Sequence, residues 1–149
     1  MSFIKMKSIP RNFLPHTLEF TPIDSCATAF IKIITNTHNS RIFHLQNNNV
    51  IQIQKLVNIF ENNYFKINTL SDKDFKTFVN SLIKNNNYNF LNGIISDFDK
   101  NGKLNYIKEV LVDSTITNLY LNQIGFKWPI IDETYIIKFF DYLNTLYEF

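Results

Sequence analysis

The chain has 149 residues, 45% hydrophobic and 19% charged, a composition that excludes intrinsic disorder and suits one domain with a sizeable core. A formal net charge of +2, with no Lys/Arg-rich block, is too small to indicate a nucleic-acid partner. The single Cys26 excludes an internal disulfide and fits a reducing compartment.

In chain order, the opening MSFIKMKSIPRNF lacks the apolar centre of a signal peptide. No apolar run approaches the roughly 20 residues of a membrane helix, so a soluble cytoplasmic protein with no membrane contact is expected. Residues 1–17, punctuated by Pro10 and Pro15, read as an irregular segment with Lys5, Lys7 and Arg11 as a solvated basic tail. Leu18-Glu19-Phe20 reads as extended. Thr21 then reads as a helix N-cap, with Pro22 at the first helical position, where its missing N–H costs nothing, and Asp24 completing a variant capping box. Ile23, Ala27, Phe30/Ile31 and Ile34 recur at helical spacing and predict a helix to about Thr35.

In residues 41–46, Ile42 and His44 alternate against Phe43 and Leu45, a strand pattern. Apolar positions 53, 56, 57 and 60 predict a helix over Ile51–Phe60, and residues 64–70 a second strand. Ser71-Asp72-Lys73-Asp74 opens another helix, with Phe75, Phe78, Val79 and Leu82 inward. Residues 85–89 break it, and Phe90–Phe98 reads as a short helix. Asp113 or Ser114 starts a helix through Leu119, Tyr120 and Ile124, stopped by Gly125 with Pro129 beyond. Asp132 caps a last helix carrying Ile136, Phe139/Phe140, Leu143 and Leu146/Tyr147. The expected fold class is α+β, mostly helical with two or three short strands, as a single domain over 1–149 with no linker or internal repeat.

No residue type in a catalytic pattern emerges. Asp97-Phe98-Asp99-Lys100-Asn101-Gly102 reads as the first half of a calcium loop, but the twelfth position, where a bidentate carboxylate belongs, is Lys108. Glu109 lies one residue late, about 100° around a helix. A surface turn is the simpler reading. Gly93, Gly102 and Gly125 are isolated, so no Gly-rich phosphate turn can be written. His16, His38 and His44 have no metal-ligand spacing; His44 reads as half-buried and bonded to backbone, and Cys26 as a small core residue. No Tyr is followed four residues later by Lys, the one-turn spacing of proton-relay dehydrogenases; Tyr135 has Lys138 at three. The sequence therefore nominates no catalytic, cofactor-binding or metal-ligating residue.

LEFTPIDSCATAFIKII at 18–34, followed by FHLQN at 43–47, resembles the start of the C-terminal lobe of thioester reductase domains of nonribosomal peptide and polyketide synthetases. These belong to the extended short-chain dehydrogenase/reductase superfamily, in which a segment like TPVDYVARAIV precedes FHLxNP. Ser25 stands here where an aromatic is common, and Asn48 where Pro is common. SDKDFKTFV at 71–79 resembles the family's helix after a short strand. Residues 113–143, with Trp128-Pro129-Ile130-Ile131-Asp132 at a PPVD-like turn, resemble its closing helix pair. The likeness runs in order from about 18 to 149.

The resemblance implies the C-terminal substrate-binding subdomain of such a reductase without its Rossmann half, which carries the Gly-rich turn and the Tyr/Lys dyad. The implied reaction is NADPH-dependent reductive release of a carrier-bound acyl or peptidyl thioester as aldehyde or alcohol. The lobe would wall the acyl and phosphopantetheine channel and help receive the carrier protein; the fragment alone is expected to be non-catalytic. Its partners would be the N-terminal dinucleotide-binding half and an acyl/peptidyl carrier protein. The segment from Thr21 to Ile34 would pack at the joint, and an isolated lobe would expose a patch and self-associate. A free-standing interaction or carrier-docking module, and a calcium-binding helical protein, stand as alternatives.

Overall fold

The computed structural model describes residues 2–36, 42–85 and 112–146. The Phe90–Phe98 helix, the calcium-loop residues from Asp97 to Lys108, Glu109 and His38 lie outside them. The described residues form a mostly helical α+β fold. In chain order the elements are α1 (Ser2–Met6), β1 (Ser8–Pro10), a 3-10 turn (Arg11–Phe13), β2 (Thr17–Leu18), α2 (Ile23–Asn36) and β3 (Ile51–Gln52). There follow α3 (Ile53–Asn63), β4 (Asn68–Leu70), α4 (Asp72–Lys84), α5 (Thr115–Gln123) and α6 (Glu133–Leu146). Four very short strands, rather than two or three, make two separate pairs: β1 runs parallel to β4 with Ser8 opposite Asn68, and β2 antiparallel to β3 with Leu18 opposite Ile51.

The segment expected to be irregular is, from Ser2 onward, built into the core. Met6, Ser8 and Ile9 are buried, and Pro10 is fully enclosed. Lys7 turns the chain from α1 into β1 with φ of 49°, and its carbonyl accepts from the Asn68 N–H at 2.8 Å. The basic tail is not simply solvated either, since the Lys7 ammonium lies 5.1 Å from the centre of the Phe65 ring. A three-residue strand has no period to read, and its partner lies far along the chain.

Where the controlling chemistry is local, the elements form as read. Ser71 caps α4, accepting from Asp74 N at 3.2 Å and donating to its carboxylate at 2.6 Å. Phe75 and Val79 are buried beneath, with Phe78 and Leu82 against them. Asp132 accepts from Tyr135 N at 2.8 Å and caps α6. Gly125, at φ 74°, ends α5: its N–H donates to Asn122 O and that of Phe126 to Leu121 O, the paired bonds of a Schellman close. At the other end of α5, Asp113 accepts from Thr115 N at 2.9 Å, and this bond holds the Asp113 carboxyl below its usual range. The second helix starts at Ile53, not Ile51, because Ile51 and Gln52 are taken by pairing with β2; Ile53, Val57 and Phe60 are buried as expected.

Several further expectations fail. Residues 42–46 are no strand: Phe43 and Leu45 pack inward and Ile42 and His44 point out, as the alternation suggests, but no strand lies beside them. His44 is exposed, and its N–H donates instead to Thr117 Oγ1 at 3.0 Å. The strand expected over 64–70 shrinks to Asn68–Leu70. Thr21 does not cap α2, whose first bond runs from Cys26 N to Pro22 O; its hydroxyl donates to Glu19 Oε1 and accepts from Asn47 N. The face of α2 that is buried is Ala29 and Ile33, not the predicted stripe.

Two groups of packed side chains result. One joins α2 and α5 through Ala29, Ile33, Leu121 and Phe126, with Trp128 against them. The other holds α1, β1, α3 and α6, and Phe140 is its hub, meeting Phe60 at 4.6 Å and Tyr64 at 4.8 Å, both edge-on; α4 packs on α1 through Phe75, Val79 and Met6. Ile51, Ile59, Ile131 and Ile136 bridge the β2–β3 pair to α3 and α6.

Candidate functional site

Three features stand out, and the first explains why weak motifs recur in order. Asn47, the last residue of FHLQN, is fully buried. Its amide donates to Phe20 O at 2.9 Å and Pro129 O at 3.1 Å, its Oδ1 accepts from Asn49 N at 2.9 Å, and its backbone N–H donates to Thr21 Oγ1 at 3.0 Å. One side chain thus ties the Thr21-Pro22 turn to the Trp128-Pro129 turn. Beside it, Asn48 Oδ1 accepts from Ser114 Oγ at 3.0 Å and Asn118 Nδ2 at 2.7 Å, while Trp128 Nε1 donates to Asn118 Oδ1 at 2.6 Å. Asn48, in the position where the resembled family favours Pro, is therefore part of a hydrogen-bonded network that Pro could not join.

Second, an apolar cavity of about 470 Å³ opens between α1, β2, α3 and α6. Leu56, Phe60, Ile136 and Phe140 line it from α3 and α6, the last three almost wholly buried. Ile4, Leu18, Phe20, Phe139 and Leu143 complete the wall, Leu18 and Phe139 being the exposed members. Phe20 meets Phe139 edge-on at 5.8 Å, and Tyr135 stacks against Phe139 at 6.5 Å. Burial, and then the negative charge of Asp24, pushes the Tyr135 phenol up, so it stays protonated at neutral pH. Among the described residues every lining side chain is apolar, and none is a nucleophile or an acid–base group.

Third, α2 carries its apolar stripe outward. Ile23 is 83% exposed, Phe30 54%, and Ile31 and Ile34 56% each. Scattered exposed hydrophobics are ordinary, but four on one helix face form a contiguous apolar patch.

Among the described residues, no group of three or more His, Cys, Asp or Glu is placed to hold a metal ion, and no helix is long and apolar enough to cross a membrane. The described glycine, Gly125, closes α5 and does not lie in a strand–turn–helix cradle. Cys26 is half-buried on α2. Sequence reasoning quoted Asn47 only as part of a motif and missed the cavity wall at Leu18 and Phe20. The short LEF segment carried no period to reveal them.

The fold as a whole is similar to one lobe of solved reductase domains. A thiolation-reductase di-domain from an archaeal non-ribosomal peptide synthetase aligns with 97% of this chain at 25% identity and a TM-score of 0.79. An Aureusimine biosynthetic cluster reductase domain aligns with 97% at 21% identity and a TM-score of 0.69. The terminal R domain of the myxalamid PKS-NRPS pathway aligns with 97% at 17% identity and a TM-score of 0.72. The chain spans only 29%, 37% and 36% of those three structures, respectively. No family model and no curated protein matches it. The resemblance read from TPID, FHLQN and WPIID and the likeness of the whole fold agree: the chain has the architecture of a thioester reductase C-terminal lobe.

Proposed function

We propose that this chain is the substrate-side lobe of an NADPH-dependent reductase that releases a carrier-bound acyl or peptidyl thioester as aldehyde or alcohol. The nucleotide and the hydride chemistry belong to a companion dinucleotide-binding half, and an acyl or peptidyl carrier protein delivers the substrate on its phosphopantetheine arm. The observation that carries the reading is the outward stripe of α2 on a chain that aligns almost completely with about a third of larger reductases. Covering Ile23, Phe30, Ile31 and Ile34 is worth about 4–8 kcal/mol of burial, enough to drive association with a second half. That is the place the sequence resemblance assigns to Thr21–Ile34.

The test is co-expression of the chain with the dinucleotide-binding half of the archaeal thiolation-reductase, followed by co-purification and NADPH oxidation with an acyl-loaded carrier. Wild type should co-purify and turn over, and Ile31→Glu, a change on an exposed site, should fold equally well but lose both. A complex unaffected by Ile31→Glu would remove α2 from the joint. A stable complex with no thioester-dependent NADPH loss would end the reductase reading.

A further inference from the structure

The cavity says more about the substrate than the family likeness does. We propose that it takes the hydrocarbon tail of the acyl group, so that the substrate class is an aliphatic acyl thioester and not a polar peptidyl one; the inference rests on the substrate-side reading above. Three observations support it. All the lining side chains are apolar, so a peptide tail would leave its amides without partners there, at a cost of a few kcal/mol each. The space is partly enclosed, with Leu18 and Phe139 exposed at its edge and Phe60, Ile136 and Phe140 packed behind it, so a flexible chain can lie within it. Its volume of about 470 Å³ lies within the range of small-molecule sites. That is about three times the ~150 Å³ of an engineered apolar cavity that accepts benzene, giving room for roughly a dozen carbons.

The entry is also defined. Leu18 on β2 and Phe139 on α6 are the exposed wall residues, and the Phe20–Phe139–Tyr135 aromatic group lies beside them. A tail entering between Leu18 and Phe139 keeps its thioester end in solvent, where a companion half can reach it.

The experiment titrates the 149-residue chain calorimetrically with S-acyl-pantetheines from butyryl to palmitoyl, with free pantetheine and an ω-carboxydecanoyl thioester as comparisons. Affinity should rise roughly threefold per methylene and level off once the cavity is full. Pantetheine should bind weakly, and the ω-carboxylate about tenfold or more below its methyl-ended counterpart. Leu143→Trp, at a half-buried wall position, should narrow the space and move the plateau to a shorter acyl chain while melting near wild type. Lys76→Ala, on the exposed face of α4, should change nothing. Length-independent binding, equal binding of the ω-carboxylate, or an unaffected Leu143→Trp variant would overturn the proposal. The two readings separate in the assembled enzyme. Turnover without preference between aliphatic and peptidyl thioesters removes the hydrocarbon site and leaves the reductase. Length-dependent binding with no reduction removes the reductase and leaves the site.

Discussion

Asn47→Ala is the sharpest perturbation this fold offers, because one buried amide closes three turns at once. Truncation deletes the bonds to Phe20 O, Pro129 O and Asn49 N; Phe20 O and Asn49 N lose this partner, while Pro129 O keeps its bond from Asn49 Nδ2 at 3.1 Å. An orphaned buried group costs about 1–3 kcal/mol, and water entering the vacated space recovers part of that, so about 3 kcal/mol is expected. For a chain of this size each kcal/mol moves Tm by roughly 2–4 °C, which predicts a fall of about 6–12 °C. The readout is built in: the only Trp, Trp128, sits next to the perturbed turn and donates to Asn118. Urea unfolding followed by its fluorescence should give a lower midpoint with an unchanged slope.

Asn47→Asp keeps the acceptor for Asn49 N but sets a carboxylate oxygen against two carbonyl oxygens. Burial and that juxtaposition push the introduced carboxyl up in the folded state. Its deficit relative to wild type is then smallest in acid and grows as pH rises through the folded-state pKa. A Tm change of less than about 1 °C for Asn47→Ala, or a pH-independent deficit for Asn47→Asp, would refute the idea that this amide holds the turns together.

Two further outcomes follow from the same kind of accounting. The Tyr64 hydroxyl donates to Asp141 Oδ1 at 2.7 Å and Ile137 O at 3.2 Å, and burial, followed by the Asp141 hydrogen bond and charge, pushes its pKa up to about 12. Its neutral form supports the fold below pH 10 and that support is lost as pH rises through about 12; Tyr64→Phe should cost about 1 kcal/mol at neutral pH and remove the latest step of the phenolate absorbance titration. Gly125→Ala meets no atom within 4 Å, so its cost is backbone alone, about 1 kcal/mol for a side chain at φ 74°; a Tm equal to wild type would mean that α5 does not depend on its left-handed close.

How much of this was legible depended on how far each side chain reaches. Ser71 with Asp74, Asp132 with Tyr135, and Gly125 with Asn122 act within one turn, and the sequence shows them plainly. Thr21 looks like a cap for the same local reasons, yet its hydroxyl is claimed by Asn47 at the far end of an intervening helix and loop. On α2, periodicity reveals a stripe but not which face has company, because a helix presents the same pattern whether its own lobe or another unit covers it. Ala29 and Ile33 pack against Leu121 and Phe126. The alternation at 42–46 correctly separates inward Phe43 and Leu45 from outward Ile42 and His44, but alternation does not supply a neighbouring strand. The cavity is the least legible feature, since its wall comes from four elements that no single window spans.

The parallel seam between β1 and β4 has a consequence for biogenesis. Translation runs at about 5–20 residues per second, so Ser8–Pro10 leaves the ribosome seconds before Asn68–Leu70 exists to receive it. Throughout that interval β1 has no partner strand, and Ile9 lacks Ile67 to pack against. The slow event in maturation should be the arrival of β4, since β1 and β4 sit far apart along the chain.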